Sequence, residues 1–339
     1  MVAYWHEEWS SQEWLETVQT WVDHVLEVYQ LERTGDLQRR RDRDFSALLA
    51  VPTNMGRLWF KASNPNQLHE ATLTAQLSEL VPHRVPKPLS IEPNLGWSLT
   101  PDYGETFMAL PAADPAVWQL MLADYATFQQ ELATDAHRDQ VFNAGVMVLD
   151  PEWLPQYLES QLEIHAMTDP DHPFHLDGAA ADRLFVNLDQ IQQWCHMLAD
   201  GPVPLMLDHQ DLHRHNVLVP ATLGAPLRYL DFSDTFWAHP FSSLAKPLRT
   251  IAAEFQTKLD PADPRIAAII GAYLEKFSSY GTTDELFDLL EPALRMARLQ
   301  EHQIWMTLMA GTDEDTQRKY ATDVLRPLRQ LLEPVLITD

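Results

Sequence analysis

Cysteine is nearly absent from this 339-residue chain, which holds only Cys195. That excludes an internal disulfide and any site built from several thiolates. Basic residues are scarce as well: 24 Lys and Arg stand against 49 Asp and Glu, a formal net charge of −25. A chain so acidic repels phosphate backbones and anionic lipid surfaces, so neither nucleic acid nor membrane is expected as a partner. No stretch approaches the ~18 uninterrupted apolar residues of a membrane span. The opening MVAYWHEEWSSQEW lacks the basic end and apolar run of a secretory signal. What the chain does have is apolar matter, 45% hydrophobic residues with 11 Trp and 13 Phe, too much for disorder. The expectation is an enzyme-sized protein of a reducing cytoplasm, its length pointing to about two domains.

Hydrophobic spacing divides the chain in two. Trp14, Val18, Trp21, Val22, Val25 and Tyr29 recur at three and four, which predicts a helix from Ser10 to about Tyr29 with Ser10 and Glu13 as a capping box. Short alternating runs follow at Phe45–Val51 and Arg57–Ala62 around the turn residues Pro52–Gly56, then at Pro88–Glu92 and Trp97–Thr100. A helix capped by Asn66 and running to Leu80 interrupts them. From Asp102 onward helical spacing dominates, beginning with Asp114-Pro115, apart from a β-rich island at 203–232. This predicts an α+β fold with the N-terminal helix and a β-rich lobe over 1–103 and a larger, mostly helical lobe over 104–339, with a ligand received in the cleft between them.

The chemistry concentrates at HQDLHRHNVLV, from His209 to Val219, followed by Leu227 to Asp234. If Val217–Val219 and Arg228–Leu230 form an antiparallel hairpin centred near Leu223-Gly224, Asn216 and Asp231 fall opposite each other, Cα atoms about 5 Å apart. An amide oxygen beside a carboxylate is half of an oxygen-lined magnesium site. Asp211 feeds the same hairpin and remains free to orient a hydroxyl. Phosphoryl transfer needs these parts, because it asks mainly for alignment and charge cancellation. The spacing of His209, Asp211 and Asn216 resembles the kinase catalytic loop, and Asp231-Phe-Ser233 resembles its metal-binding Asp-Phe-Gly.

With LDFSDTFWAHPFSSL downstream, and WFKASNPNQLHEATLTAQL and WSLTPDYG upstream, most of the chain from 37 to 250 is similar to the aminoglycoside phosphotransferase and choline kinase-like family of small-molecule kinases. The resemblance implies a protein-kinase-like two-lobed fold that binds ATP and Mg2+ and phosphorylates a hydroxyl of a metabolite or antibiotic. It implies Asp211 as catalytic base, Asn216 and Asp231 as magnesium ligands, Lys61 on the nucleotide phosphates and Glu70 paired with Lys61. It further implies an interlobe hinge, where backbone groups from Leu99 through Pro101 to Gly104 meet the base. Lys61 has its own physical case: an ammonium ending an apolar strand is expensive unless an anion meets it, and Glu70 is nine residues on.

Three departures from the family pattern stand out. Leu37 to Phe45 contains no glycine to cradle phosphates, leaving Arg39, Arg40, Arg41 and Arg43 as candidate substitutes or as an exposed charged turn. Trp59, on the strand face of Lys61, either stacks on the purine or packs in the core. Gln210 stands where the family commonly has glycine, a change expected to be tolerated by the backbone. Two alternative functions remain. One is a metal-dependent hydrolase using His209, Asp211, His213 and His215 on one strand face. The other is a nucleotide-binding pseudokinase. Acidic runs such as Asp284 to Glu291, Glu301 and Asp313 to Asp315 would attract a cationic acceptor if they are more than solvated helix faces, and Trp237 would pack either on a sugar ring or in the core.

Overall fold

The computed structural model describes residues 5–220, 222 and 224–337. The chain divides into two compact units: Met1–Glu105 with 139–146 and 218–233, and Thr106–Arg138 with 147–217 and 234–339.

The first unit is built on a five-stranded antiparallel sheet. Its strands are β1 (Gln38–Arg43), β2 (Ser46–Thr53), β3 (Gly56–Ser63), β4 (Ser90–Glu92) and β5 (Trp97–Pro101), in the order β1-β2-β3-β5-β4. Two helices precede it, α1 (Trp5–Ser10) and α2 (Gln12–Val28). The cap of α2 is Ser11, which accepts from Trp14 N–H at 3.1 Å. The expected cap, Ser10, instead donates to Glu7 C=O at the end of α1.

Strand alternation sorts the sheet into two faces. Leu49, Val51, Leu58, Phe60, Ala62, Trp97 and Leu99 point to one side and join the α2 stripe of Trp14, Val18, Val22 and Val25 in one core cluster. Phe60 and Trp97 pack edge to face at 5.4 Å between ring centroids. The other face carries Leu48, Trp59, Lys61 and Ser98, which the register sets side by side across β2, β3 and β5. It is served by α3 (His69–Leu80), entered through a single turn at Pro65–Gln67 whose cap is Asn64, not Asn66.

In the second unit, α4 (Pro115–Leu132) starts where Asp114 accepts from Ala116 N–H, and buries Trp118, Met121, Leu122, Tyr125 and Phe128. Helices at Leu154–Met167, Gly178–Val186, Leu188–Ala199, Ala245–Phe255, Pro264–Leu274, Thr283–Asp288, Leu290–Met309 and Glu314–Gln330 follow. The helical run over 178–199 breaks at Asn187, whose side chain donates back to Arg183 C=O. A small sheet joins Met147–Val148, Phe236–Ala238 and Met206–Asp208, and buries Trp237 to 4% exposure, so this indole is core. The pair Val217–Leu218 with Arg228–Tyr229 stands where the chain re-enters the first unit; Leu223 of its expected turn lies outside the described residues. Among the described residues no helix is long and apolar enough to cross a membrane.

Candidate active site

Lys61 is the charged centre of the first unit. It projects from β3 on the face opposite the aromatic core, and its Nζ donates to Glu70 Oε1 at 2.5 Å and to Asp231 Oδ1 at 2.6 Å. Burial opposes the ammonium, but the two carboxylates outweigh it and hold the lysine above its ordinary range. Glu70, in the first turn of α3, is 4% exposed and also accepts from Ser63 Oγ at 2.6 Å. Burial pushes its carboxyl up while Lys61 pulls it down. Asp231 takes a left-handed backbone at φ 67, a conformation that aspartate tolerates better than most residues. Strain of this kind gathers at functional sites.

Around this centre the other nucleotide candidates sort themselves. Trp59 is half-buried rather than core, with the Arg57 guanidinium 4.6 Å above its ring. One indole face is thus already covered. Leu99 is fully buried, and its carbonyl accepts from Leu89 N–H at 2.7 Å, so that carbonyl is committed within the sheet. Pro101 differs. Asp102 N–H donates to Arg57 C=O at 3.1 Å, which makes Leu58 and Pro101 the next, non-hydrogen-bonded pair and turns the Pro101 carbonyl away from β3. The arginine run forms β1, joined to β2 by the two-residue turn Asp44-Phe45. Arg39 is turned toward the helices, donating to Trp9 C=O and lying over the Trp14 ring, while Arg40 is exposed. The side chains of Arg41 and Arg43 lie outside the described residues.

Asp211 is the charged centre of the second unit. It follows the strand Met206–Asp208, on a loop closed by a turn at Arg214–Asn216. Its Oδ1 lies 2.8 Å from Lys246 Nζ and its Oδ2 3.3 Å from His213 Nε2. Burial works against its charge, but His213 and Lys246 prevail and hold the carboxyl well below its usual range. Asn216 donates from Nδ2 to the Asp211 carbonyl at 3.0 Å and to Oδ2 at 3.3 Å. That orientation leaves the amide oxygen Oδ1 as the acceptor. An amide oxygen is a donor type that fits magnesium, which takes oxygen ligands.

The loop is anchored from below. Asp208 is fully buried and accepts from Ser243 Oγ at 2.7 Å and Gln210 Nε2 at 2.6 Å. Burial pushes its carboxyl up to about 6. Arg214, also buried, donates to Glu254 at 3.0 Å and to Phe107 C=O at 2.8 Å. Gln210 corrects one expectation: its φ is 59, the region glycine favours. A non-glycine residue there costs roughly 1–2 kcal/mol, which the Gln210 side chain offsets through its bonds to Asp208 and to Gln300 Oε1 at 2.6 Å. Lys246 was missed from the sequence, because SSLAKP carries no local signature of a site.

The hydrolase alternative needs His209, Asp211, His213 and His215 on one strand. The strand ends at Asp208, so the alternation never forms. Among the described residues no group of three or more His, Cys, Asp or Glu side chains could hold a metal ion.

No family model and no curated protein matches the chain. Solved structures do. An ethanolamine kinase of Plasmodium vivax aligns over 94% of this chain and 89% of its own, with TM-score 0.61 and 13% identity. The GDP complex of an aminoglycoside 2'-phosphotransferase aligns over 92% and 97%, with TM-score 0.59 and 15% identity. The macrolide 2'-phosphotransferase of Brachybacterium faecium aligns over 90% and 97%, with TM-score 0.57 and 17% identity. At such identities the likeness is one of fold. The chain has the α+β, protein-kinase-like fold of small-molecule kinases and phosphotransferases, with a small antiparallel sheet and a larger helical part.

Proposed function

We propose that the protein is an ATP- and magnesium-dependent kinase that phosphorylates a hydroxyl of a small molecule. The observation that carries this reading is Lys61 gripped by both Glu70 and Asp231, the second 170 residues away in sequence. A structural ion pair needs one carboxylate. A lysine that must hold phosphates beside a metal-binding aspartate accounts for two, because the nucleotide replaces part of the pairing when it binds.

In this reading Lys61, braced by Glu70, clamps the nucleotide phosphates, and the Pro101 carbonyl receives the base with Trp59 beside it. Asn216 and Asp231 hold magnesium, which neutralises charge on the phosphates when bound. Asp211 accepts a hydrogen bond from the acceptor hydroxyl and takes its proton as the oxygen–phosphorus bond forms and the bond to ADP breaks. Held ionised at neutral pH by Lys246 and His213, it acts chiefly by orienting the hydroxyl. The reaction is proposed for the cytoplasm, a compartment that supplies ATP.

A nucleotide-consumption screen over hydroxylated acceptors, with Asp211→Asn as blank, tests the reading. ADP release that needs both an acceptor and Asp211 supports it. Release that the blank reproduces rejects it.

A further inference from the structure

The charges that meet Asp211 bear on which acceptor it serves. Each carboxylate oxygen faces a basic side chain, Lys246 Nζ at 2.8 Å and His213 Nε2 at 3.3 Å. Lys246 stands at the start of the helix Ala245–Phe255 with about a third of its side chain exposed, and a quarter of the Asp211 side chain is open beside it. The ammonium has three N–H donors, so contact with Asp211 leaves donors for an incoming group.

A cationic acceptor such as an amino sugar or amino alcohol would need unpaired carboxylates near the base. Three acids on neighbouring elements are otherwise engaged. Glu254, on the Lys246 helix, accepts from Arg214 Nη1 at 3.0 Å and from Trp118 Nε1 at 3.0 Å. Glu301 is held by Arg326 at 3.0 Å and Arg249 at 3.3 Å. Asp208 is buried under Ser243 and Gln210. Within the acidic helical runs, Glu285 closes the capping box with Thr282, Glu291 accepts from Val335 N–H and Leu336 N–H, and Asp313 caps Glu314–Gln330.

We infer that Lys246 is a specificity-determining residue and that the acceptor is a hydroxylated anion, a hydroxycarboxylate or a sugar or polyol phosphate, whose negative group meets the Lys246 ammonium while its hydroxyl meets Asp211. The inference rests on the kinase reading and narrows its acceptor. The acceptor oxygen bonds to the γ-phosphorus, the bond to the bridging oxygen of ADP breaks, and the hydroxyl proton passes to Asp211; Lys246 keeps its protons throughout.

The test is steady-state kinetics with Mg·ATP over three charge classes: glycerate, gluconate, glycerol 3-phosphate and glucose 6-phosphate; glycerol and ribose; choline, ethanolamine and kanamycin. One of the anions should exceed every cation in kcat/KM by tenfold or more, and the carboxylate and phosphate arms identify which anion is read. Lys246→Met should raise the KM of that anion about 10- to 100-fold, leave the ATP KM unmoved, and be rescued in part by Lys246→Arg. A cation as best acceptor, or Lys246→Met lowering kcat alike for every class without moving an acceptor KM, would overturn the inference. Magnesium-dependent ATP binding without transfer to any of the anions would overturn the acceptor class alone. Loss of magnesium-dependent ATP binding in the wild-type protein would instead overturn the kinase reading.

Discussion

Lys61 and Asp231 stand 170 residues apart in the sequence and 2.6 Å apart in the fold. The contact joins the third strand of the sheet to the Asp-Phe-Ser segment that follows the catalytic-loop-like motif. Because Glu70 holds the same ammonium, one cation faces two acids, and a divalent cation bound at Asp231 would offset the excess negative charge.

Lys61→Met removes that cation and leaves Glu70 buried without its charge partner. Breaking a buried pair by deleting one member costs roughly 3–5 kcal/mol. Asp231 is about a third exposed, so the lower end applies. Thermal unfolding should show this loss, and ATP affinity should fall with it. The lysine lies above its ordinary value of 10.5 in the fold, so its contribution is complete below pH 10.5 and disappears only as the pH rises through the folded value. Glu70→Gln should cost less, about 1 kcal/mol, because the amide still accepts from Ser63 and Lys61 keeps Asp231.

Acid should destabilise the helical unit through a buried histidine pair. His165 Nδ1 donates to Phe174 C=O at 2.8 Å, so its Nε2 accepts from His302 Nε2–H at 3.0 Å, and His302 Nδ1 accepts from Tyr157 O–H at 2.7 Å. Every ring must stay neutral for that chain to hold. Burial drives His302 down to about 3 from 6.5. Above pH 6.5 folded and unfolded states are both neutral and nothing is lost. Below it the unfolded chain takes up the proton first, costing about 2 kcal/mol by pH 5 and levelling off near pH 3. Asp208 works in the opposite direction, so the measurement is the difference between wild type and His302→Gln in denaturant midpoints from pH 7 to 5. The wild type should lose more.

Trp59→Leu tests the nucleotide pocket. With Arg57 already over one indole face, a base has the other. Base–aromatic stacking is worth about 1–3 kcal/mol, so the ATP KM should rise about 5- to 100-fold while the acceptor KM stays constant. An unchanged ATP KM would assign Trp59 to packing alone.

Removing magnesium with a chelator should abolish transfer and weaken ATP binding, and Asp231→Asn should do the same in the presence of the metal. Asn216→Ala should weaken magnesium-dependent binding and also free the Asp211 carbonyl and carboxylate that Asn216 now holds. Calorimetric titration of ATP with and without the metal reads all three.

Much of this was legible in the residues. The β2–β3 hairpin follows from alternation that places Leu49, Val51, Leu58 and Phe60 on one face, and the Lys61–Glu70 contact follows from a short link between strand and helix. What escaped had no local pattern. QRRRDR has no apolar alternation, yet it becomes β1 because β2 supplies a pairing partner for its backbone. Asp135–Asn143 is a helix with a single buried residue, Val141, too little for a stripe. Lys246 reached Asp211 only through tertiary folding. The left-handed turn at Gln210 was hidden because side-chain bonds to Asp208 and Gln300 do the work expected of a glycine.

The most direct test of the account is the kinetics of Asp211→Asn with a turned-over acceptor. The account predicts kcat reduced by about 100-fold or more, with the ATP KM within about threefold of wild type, because Asp211 meets the hydroxyl and not the nucleotide. A variant that keeps its turnover, or one that loses ATP affinity as steeply as turnover, would contradict it.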